Sequence, residues 1–133
     1  MTVQMGTTLR NARLDQIEAT VGTAPILTIR TGAQPTDCAA ANSGTVLATI
    51  TLPSDWMATA SGGTKAKSGT WQDPSADNTG TAAHWRLHDS SATTCHLQGS
   101  VGQGTGDLSL DNTSIVAGQS ITINTWTFTE GNA

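Results

Sequence analysis

The stretch Thr81–Val101 reads TAAHWRLHDSSATTCHLQGSV, and its periodicity decides the fold. Ala83, Trp85 and Leu87 alternate with His84, Arg86 and His88, a period of two that suits an extended strand. After the short polar connection Asp89-Ser90-Ser91-Ala92 the alternation resumes, with Cys95, Leu97, Gly99 and Val101 expected on the inward face. This is a predicted β-hairpin with an apolar inside and an outside carrying histidine and arginine.

The same period extends in both directions. Ile26–Thr31 and Thr45–Leu52 read as strands, the second with Val46, Ala48, Ile50 and Leu52 on one face and Pro53 ending its ladder. Asp107–Leu110 and Ser120–Thr129 follow the hairpin. In the last, Ile121 and Ile123 share one face while Trp126 and Phe128 take the other, which requires a bulge near Asn124 or Thr125, or cover on both faces. Between the strands, Ala33–Gly44 is a long loop and Gln103–Gly106 a glycine-rich hairpin turn. Ser61–Gly69, SGGTKAKSG, reads as the most mobile piece, with two lysines at its tip. Only Thr7–Val21 breaks the pattern. Leu9, Ala12, Leu14, Ile17 and Val21 form a helical stripe, Thr7 or Thr8 can cap its start and Gly22 its end, and Arg10, Arg13, Asp15 and Glu18 supply the wet side. The expected fold class is mainly β: a compact antiparallel β-sandwich over residues 23–133, preceded by an arm and one N-terminal amphipathic α-helix over residues 1–22.

A chain of 133 residues suits one domain. Charged residues are only 12%, and six Lys+Arg against ten Asp+Glu give a net charge of −4, which argues against nucleic acid as the main partner. No apolar run is long enough to cross a membrane as a helix. The start, MTVQMGTTLRN, shows no basic segment followed by an apolar one, so no secretory signal is expected. Tyr is absent and Phe occurs once beside four Trp, and so uncharged a surface points to life inside an assembly.

Few residues suggest chemistry. His84 and His88 would share a helix face, but on a strand they stand about 13 Å apart, too far to hold one ion. His96, expected on the outward side of the next strand, could stand beside one of them across the hairpin. Solvated or interface histidines are the simpler reading. Cys38 and Cys95 permit one disulfide, which by closing so long a loop would contribute up to about 4 kcal/mol; the alternative makes Cys95 a small buried hydrophobe. Cys95 and His96 point to opposite faces, so they form no nucleophile–base pair. Asp73, Asp77, Asp89, Asp107 and Asp111 fall in or beside turns, where aspartate bonds its own backbone. No catalytic, cofactor or metal residue is assigned. The candidate interface comprises Leu9, Leu14, Ile17 and Val21 of the helix, with Trp56 and Trp71, which either pack over the end of the sandwich or present an aromatic contact to a partner or a sugar.

Four blocks carry a resemblance: LRNARLDQIEATVG (Leu9–Gly22), LTIRTGAQP (Leu27–Pro35), TGTAAHWRLHDSSATTCHLQGSVG (Thr79–Gly102) and DLSLDNTSIVAGQSITINTWTFTEGNA (Asp107–Ala133). In this order they resemble small virion structural proteins of tailed bacteriophages; the two cysteines and the Trp-rich middle depart from the common pattern. The resemblance implies a non-enzymatic particle component without cofactor. The leading expectation is a capsid decoration (cement) protein, seated on the major capsid protein as a homo-oligomer with a trimer favoured, its helix and arm anchoring it. A tail, neck or fibre-base component is the alternative, and a carbohydrate-binding module for the host surface the second alternative.

Overall fold

The computed structural model describes residues 3–130; Met1 and Thr2 of the expected arm lie outside them. Helix α1 spans Thr7–Val21, as the apolar spacing predicts. Its N-cap is Gly6, in extended conformation and without a side-chain cap, because both threonines already lie within the helix. Gly22 ends it at φ +89°, donating its N–H to the Glu18 carbonyl at 2.9 Å.

The helix docks differently from the amphipathic stripe expected of it. Leu14 and Val21 are buried and Ile17 is half-buried against the core, but Leu9 and Ala12 face solvent. Polar groups complete the seam. Asn11 Oδ1 accepts from the Gly63 amide and Asp15 Oδ1 from the Ala60 amide, each at 2.9 Å. At the centre Lys65, only 1% exposed, donates to Asp15 at 2.7 Å, to Glu18 at 3.0 Å and to the Ala58 carbonyl at 2.9 Å. Asp15 and Glu18 therefore serve the interface rather than the wet side. SGGTKAKSG is correspondingly ordered: Gly62 and Gly63 turn the chain at positive φ, and Thr64–Ala66 forms strand β3.

The main sheet contains β1 (Ile26–Arg30), β2 (Val46–Thr51), β6 (His84–His88), β7 (Cys95–Gly102) and β8 (Leu108–Ser109), in the order β2-β1-β6-β7-β8. On its inner face Ile50, Leu27, Leu87 and Leu97 form one cross-strand row, and Ala48, Ile29, Trp85 and Gly99 the next. Two one-residue bulges interrupt the register. Leu47 is the extra residue opposite Ile29/Arg30, so Val46 pairs with Arg30 instead of continuing the inner row. The second bulge falls at His96 and bears on the site below. β8 runs parallel to β7, so Gln103–Gly106 is not a hairpin turn. Gly104 and Gly106, both at positive φ, let the chain loop fully back on itself, and Asp107 Oδ2 fixes the return by accepting from the Ser100 amide and hydroxyl.

Three two-stranded ribbons complete the β structure: β4 (Trp71–Asp73) with β10 (Ile121–Ile123), β3 with β11 (Thr127–Thr129), and β5 (Gly80–Thr81) with β9 (Ser114–Ile115). The architecture is mainly β with one N-terminal helix. The predicted last strand is divided at Asn124–Trp126, and its halves pair with different partners. That break sends Trp126 into the core, in edge-on contact with Trp71 at 4.9 Å and Trp85 at 4.5 Å between ring centroids. Trp56 lies 6.0 Å from Trp71 and Phe128 5.4 Å from Trp126, so every aromatic ring of the chain belongs to one cluster. Trp56 and Trp71 are fully buried, which settles their alternatives in favour of packing and removes them from any contact surface. Trp56 Nε1 also donates to the Gly22 carbonyl at 3.0 Å, tying the helix end to this cluster.

Trp126 touches both the sheet and the ribbons, so Trp126→Ala is expected to cost about 3–5 kcal/mol in urea unfolding followed by far-UV circular dichroism. The acid limb of stability is expected to depend on two carboxylates. The bond from Lys65, followed by that from the Ala60 amide, holds Asp15 below the ordinary aspartate range. Asp89, which anchors the hairpin turn, is lowered to about 2, first by the Thr93 amide and then, against the cost of its own desolvation, by Ser91, Thr94 and the Thr93 hydroxyl. A depressed carboxylate contributes stability above its unfolded pKa that is lost as pH falls through the folded value. Stability should thus decline below about pH 4. In Asp15→Asn and Asp89→Asn the decline should be shallower; an unchanged slope in both would refute the assignment.

Candidate functional site

The outward side chains at the centre of the main sheet, Thr28, Arg30, His84, Arg86 and His88, are buried. Segment 32–43 lies across them, and its carbonyl oxygens face the sheet. His84 Nδ1 meets the Gly32 carbonyl at 2.9 Å, Gln98 Nε2 donates to Pro35 at 2.8 Å, and Arg30 reaches Ser43 at 3.5 Å. Arg86 holds the middle: one terminal nitrogen donates to the Ala40 carbonyl at 3.0 Å and Asn42 Oδ1 at 2.8 Å, the other to the carbonyls of Asp37 at 3.3 Å and Cys38 at 2.9 Å. A loop has backbone acceptors that no ladder satisfies, and a guanidinium forks donors in one plane; each meets the other's need. Gly44, at φ +71°, closes the loop, since a Cβ there would run into the Thr31 carbonyl.

Arg86 is 1% exposed, and no carboxylate of the described residues lies within ion-pair distance of Arg86 or Arg30. Positive charge is concentrated under the loop. Burial, then Arg86, pulls Arg30 down from the usual guanidinium range. Burial, then Arg86 and Arg30, likewise holds His88 below the ordinary histidine value. His84 and His88 are buried on this face, which corrects the expectation of solvated or interface histidines. Among the described residues no group of three His, Cys, Asp or Glu side chains comes together to hold a metal.

The bulge at His96 decides where the cysteines go. Leu87 pairs with Leu97, but His88 pairs with Cys95, so the register slips by one between them. Cys95 therefore leaves the inward face expected for it and joins His88 and Arg86 under the loop, where its Sγ lies 3.0 Å from that of Cys38. His96 turns instead toward the helix, where it lines a groove with Ile17, Thr20 and Leu97; it does not stand beside His88 on the outer face. Both cysteines are thiols and half-buried. They line a surface cleft of about 220 Å³ with Asn42, His88 and Thr93. Burial, then the bond with Cys38, pushes the Cys95 thiol up to about 11, against the opposing influence of Arg86.

Of the candidate interface, only Leu9 stands open to solvent; Leu14, Val21, Trp56 and Trp71 are buried and Ile17 is half-buried. The turn role read for aspartate holds at Asp73, which accepts from the Ser75 amide, and at Asp89, which accepts from the Thr93 and Thr94 amides, whereas Asp77 accepts from the distant Thr49 hydroxyl and Asp107 from Ser100. Sequence reasoning missed Arg86 and Lys65 as organising residues. The available signal was a single arginine at the centre of a cleanly alternating strand. The chain matches no protein-family model, no curated protein and no solved structure.

Arg86→Lys keeps the charge but replaces a planar fork by a single ammonium. We expect it to cost about 2 kcal/mol or more and to open residues 33–44 to limited proteolysis while the rest of the sheet stays resistant. Wild-type resistance of that loop in the variant would refute the clamp.

Proposed function

We propose that this chain is a non-enzymatic structural component of a tailed-bacteriophage particle, acting as a decoration subunit on the outer shell and assembling as a symmetric oligomer, a trimer in the simplest arrangement. The sequence resemblance supports this reading, and one structural observation carries it further. Among the described residues three large apolar side chains are strongly exposed, and two of them, Val3 at 82% and Leu9 at 53%, fall within seven positions of sequence. Val3 precedes the helix and Leu9 lies in its first turn, and the helix body is fastened to the β-domain through Lys65, so Leu9 is presented on a braced support. Burying such groups against a shell protein or sister subunit would yield about 25 cal/mol for each Å² removed from water. The glycan-binding alternative loses its footing, because Trp56 and Trp71 are inside.

Val3→Asp and Leu9→Asp should leave the unfolding midpoint unchanged, since both sites are exposed, yet weaken binding to shells lacking this protein at least tenfold in a co-sedimentation titration. Binding as tight as wild type would overturn the anchor. Quantitative mass spectrometry of purified particles tests the wider reading. Copies comparable with the shell subunit support decoration, a handful would assign the chain to tail, neck or fibre base, and absence from the particle would overturn both.

A further inference from the structure

We propose that Cys38 and Cys95 form a redox-responsive modification site, closed to an intramolecular disulfide by exchange with a low-molecular-weight disulfide such as glutathione disulfide, and that closure locks loop 33–44 over Arg86.

Three features carry the inference. The residues lie 57 positions apart in sequence, yet the His96 bulge and the Arg86 clamp bring their sulfurs into contact. Arg86 binds the carbonyl of Cys38 itself, so the loop cysteine is held at the strand by its own backbone before any covalent bond exists. Both thiols line the same surface cleft, which gives a small oxidant access that a buried structural cysteine lacks.

The exchange balances without a metal or cofactor. The Cys38 thiolate attacks one sulfur of the small disulfide R–S–S–R; that S–S bond breaks, a Cys38–S–S–R mixed disulfide forms, and one thiolate leaves. Cys95 is the resolving residue: its thiol gives its proton to the departing thiolate, and its sulfur attacks the Cys38 sulfur and expels the second thiolate. Two protein thiols are oxidised, and one small disulfide is reduced to two small thiols. Cys95 suits the second step by its position, with its sulfur 3.0 Å from that of Cys38. A reducing cytoplasm would keep the pair open and an oxidising exterior would close it. The consequence that a particle hardens after leaving its host rests on the virion reading; the chemistry does not.

The test uses the full-length protein equilibrated in reduced and oxidised glutathione, acid-quenched, alkylated in denaturant and weighed intact. Oxidation should remove both alkylation sites, lower the mass by two hydrogens, leave no disulfide-linked dimer and reverse with dithiothreitol. It should also raise the unfolding midpoint by about ten degrees and slow proteolysis within loop 33–44 at least fivefold. Two alkylated thiols after oxidation, stable glutathione adducts on wild type, or disulfide-linked dimers would each overturn the proposal. Cys95→Ser should trap a single glutathione adduct on Cys38, and its failure to take one would overturn the assigned order of attack. Purified particles provide the separate arm: a disulfide in the isolated protein but free thiols in exported particles would overturn hardening on exit and leave the exchange chemistry standing.

Discussion

The structure depends on Trp126. A mainly β chain of this size with one Phe and no Tyr has little large apolar volume to distribute, so its rings have to be gathered in one place. Trp126 makes that possible by falling at the break between β10 and β11, where its ring enters between Trp85 of the main sheet and Trp71 of a ribbon. Trp56 extends the cluster and, through its indole N–H, reaches the carbonyl that ends the helix. Sheet, ribbons and helix thus share one packed column, and that shared column lets such short strands cohere.

A second principle is the use of buried cations as cross-braces. Of six lysines and arginines, Arg30, Lys65 and Arg86 are inside. Each meets a different need. Lys65 joins the helix to β3 through two carboxylates, whereas Arg86 holds a loop through carbonyls and an amide oxygen, with no carboxylate of the described residues opposite. The second arrangement leaves a desolvated positive charge balanced only by dipoles, which is tolerable because several acceptors converge on one planar group. Its consequence is positional: the clamp fixes the Cys38 backbone, and with it the approach of two thiols.

Much of the fold was legible from the residues. The helix limits, the hairpin strands and the long loop followed from local periodicity and turn chemistry. Less of the site was legible. Cys95 and Leu97 both fit an inward-facing alternation, and nothing in CHLQG marks His96 as an extra residue, since a bulge is chosen by the fit of a strand to its partner. Lys65 sits in a glycine- and serine-flanked segment that looks solvated, and only its pairing with β11 and its distance to Asp15 and Glu18 reveal a buried role.

By itself, then, the sequence determined the class of the fold, the single helix and the alternation of its strands, because those depend on residues within a few positions of one another. Tertiary structure decided which face Cys95 occupies, what covers Arg86 and the histidines, and that five aromatic residues scattered from Trp56 to Phe128 meet. Those outcomes depend on contacts between distant segments. A one-residue register shift exchanges the two faces of a strand while leaving its composition untouched.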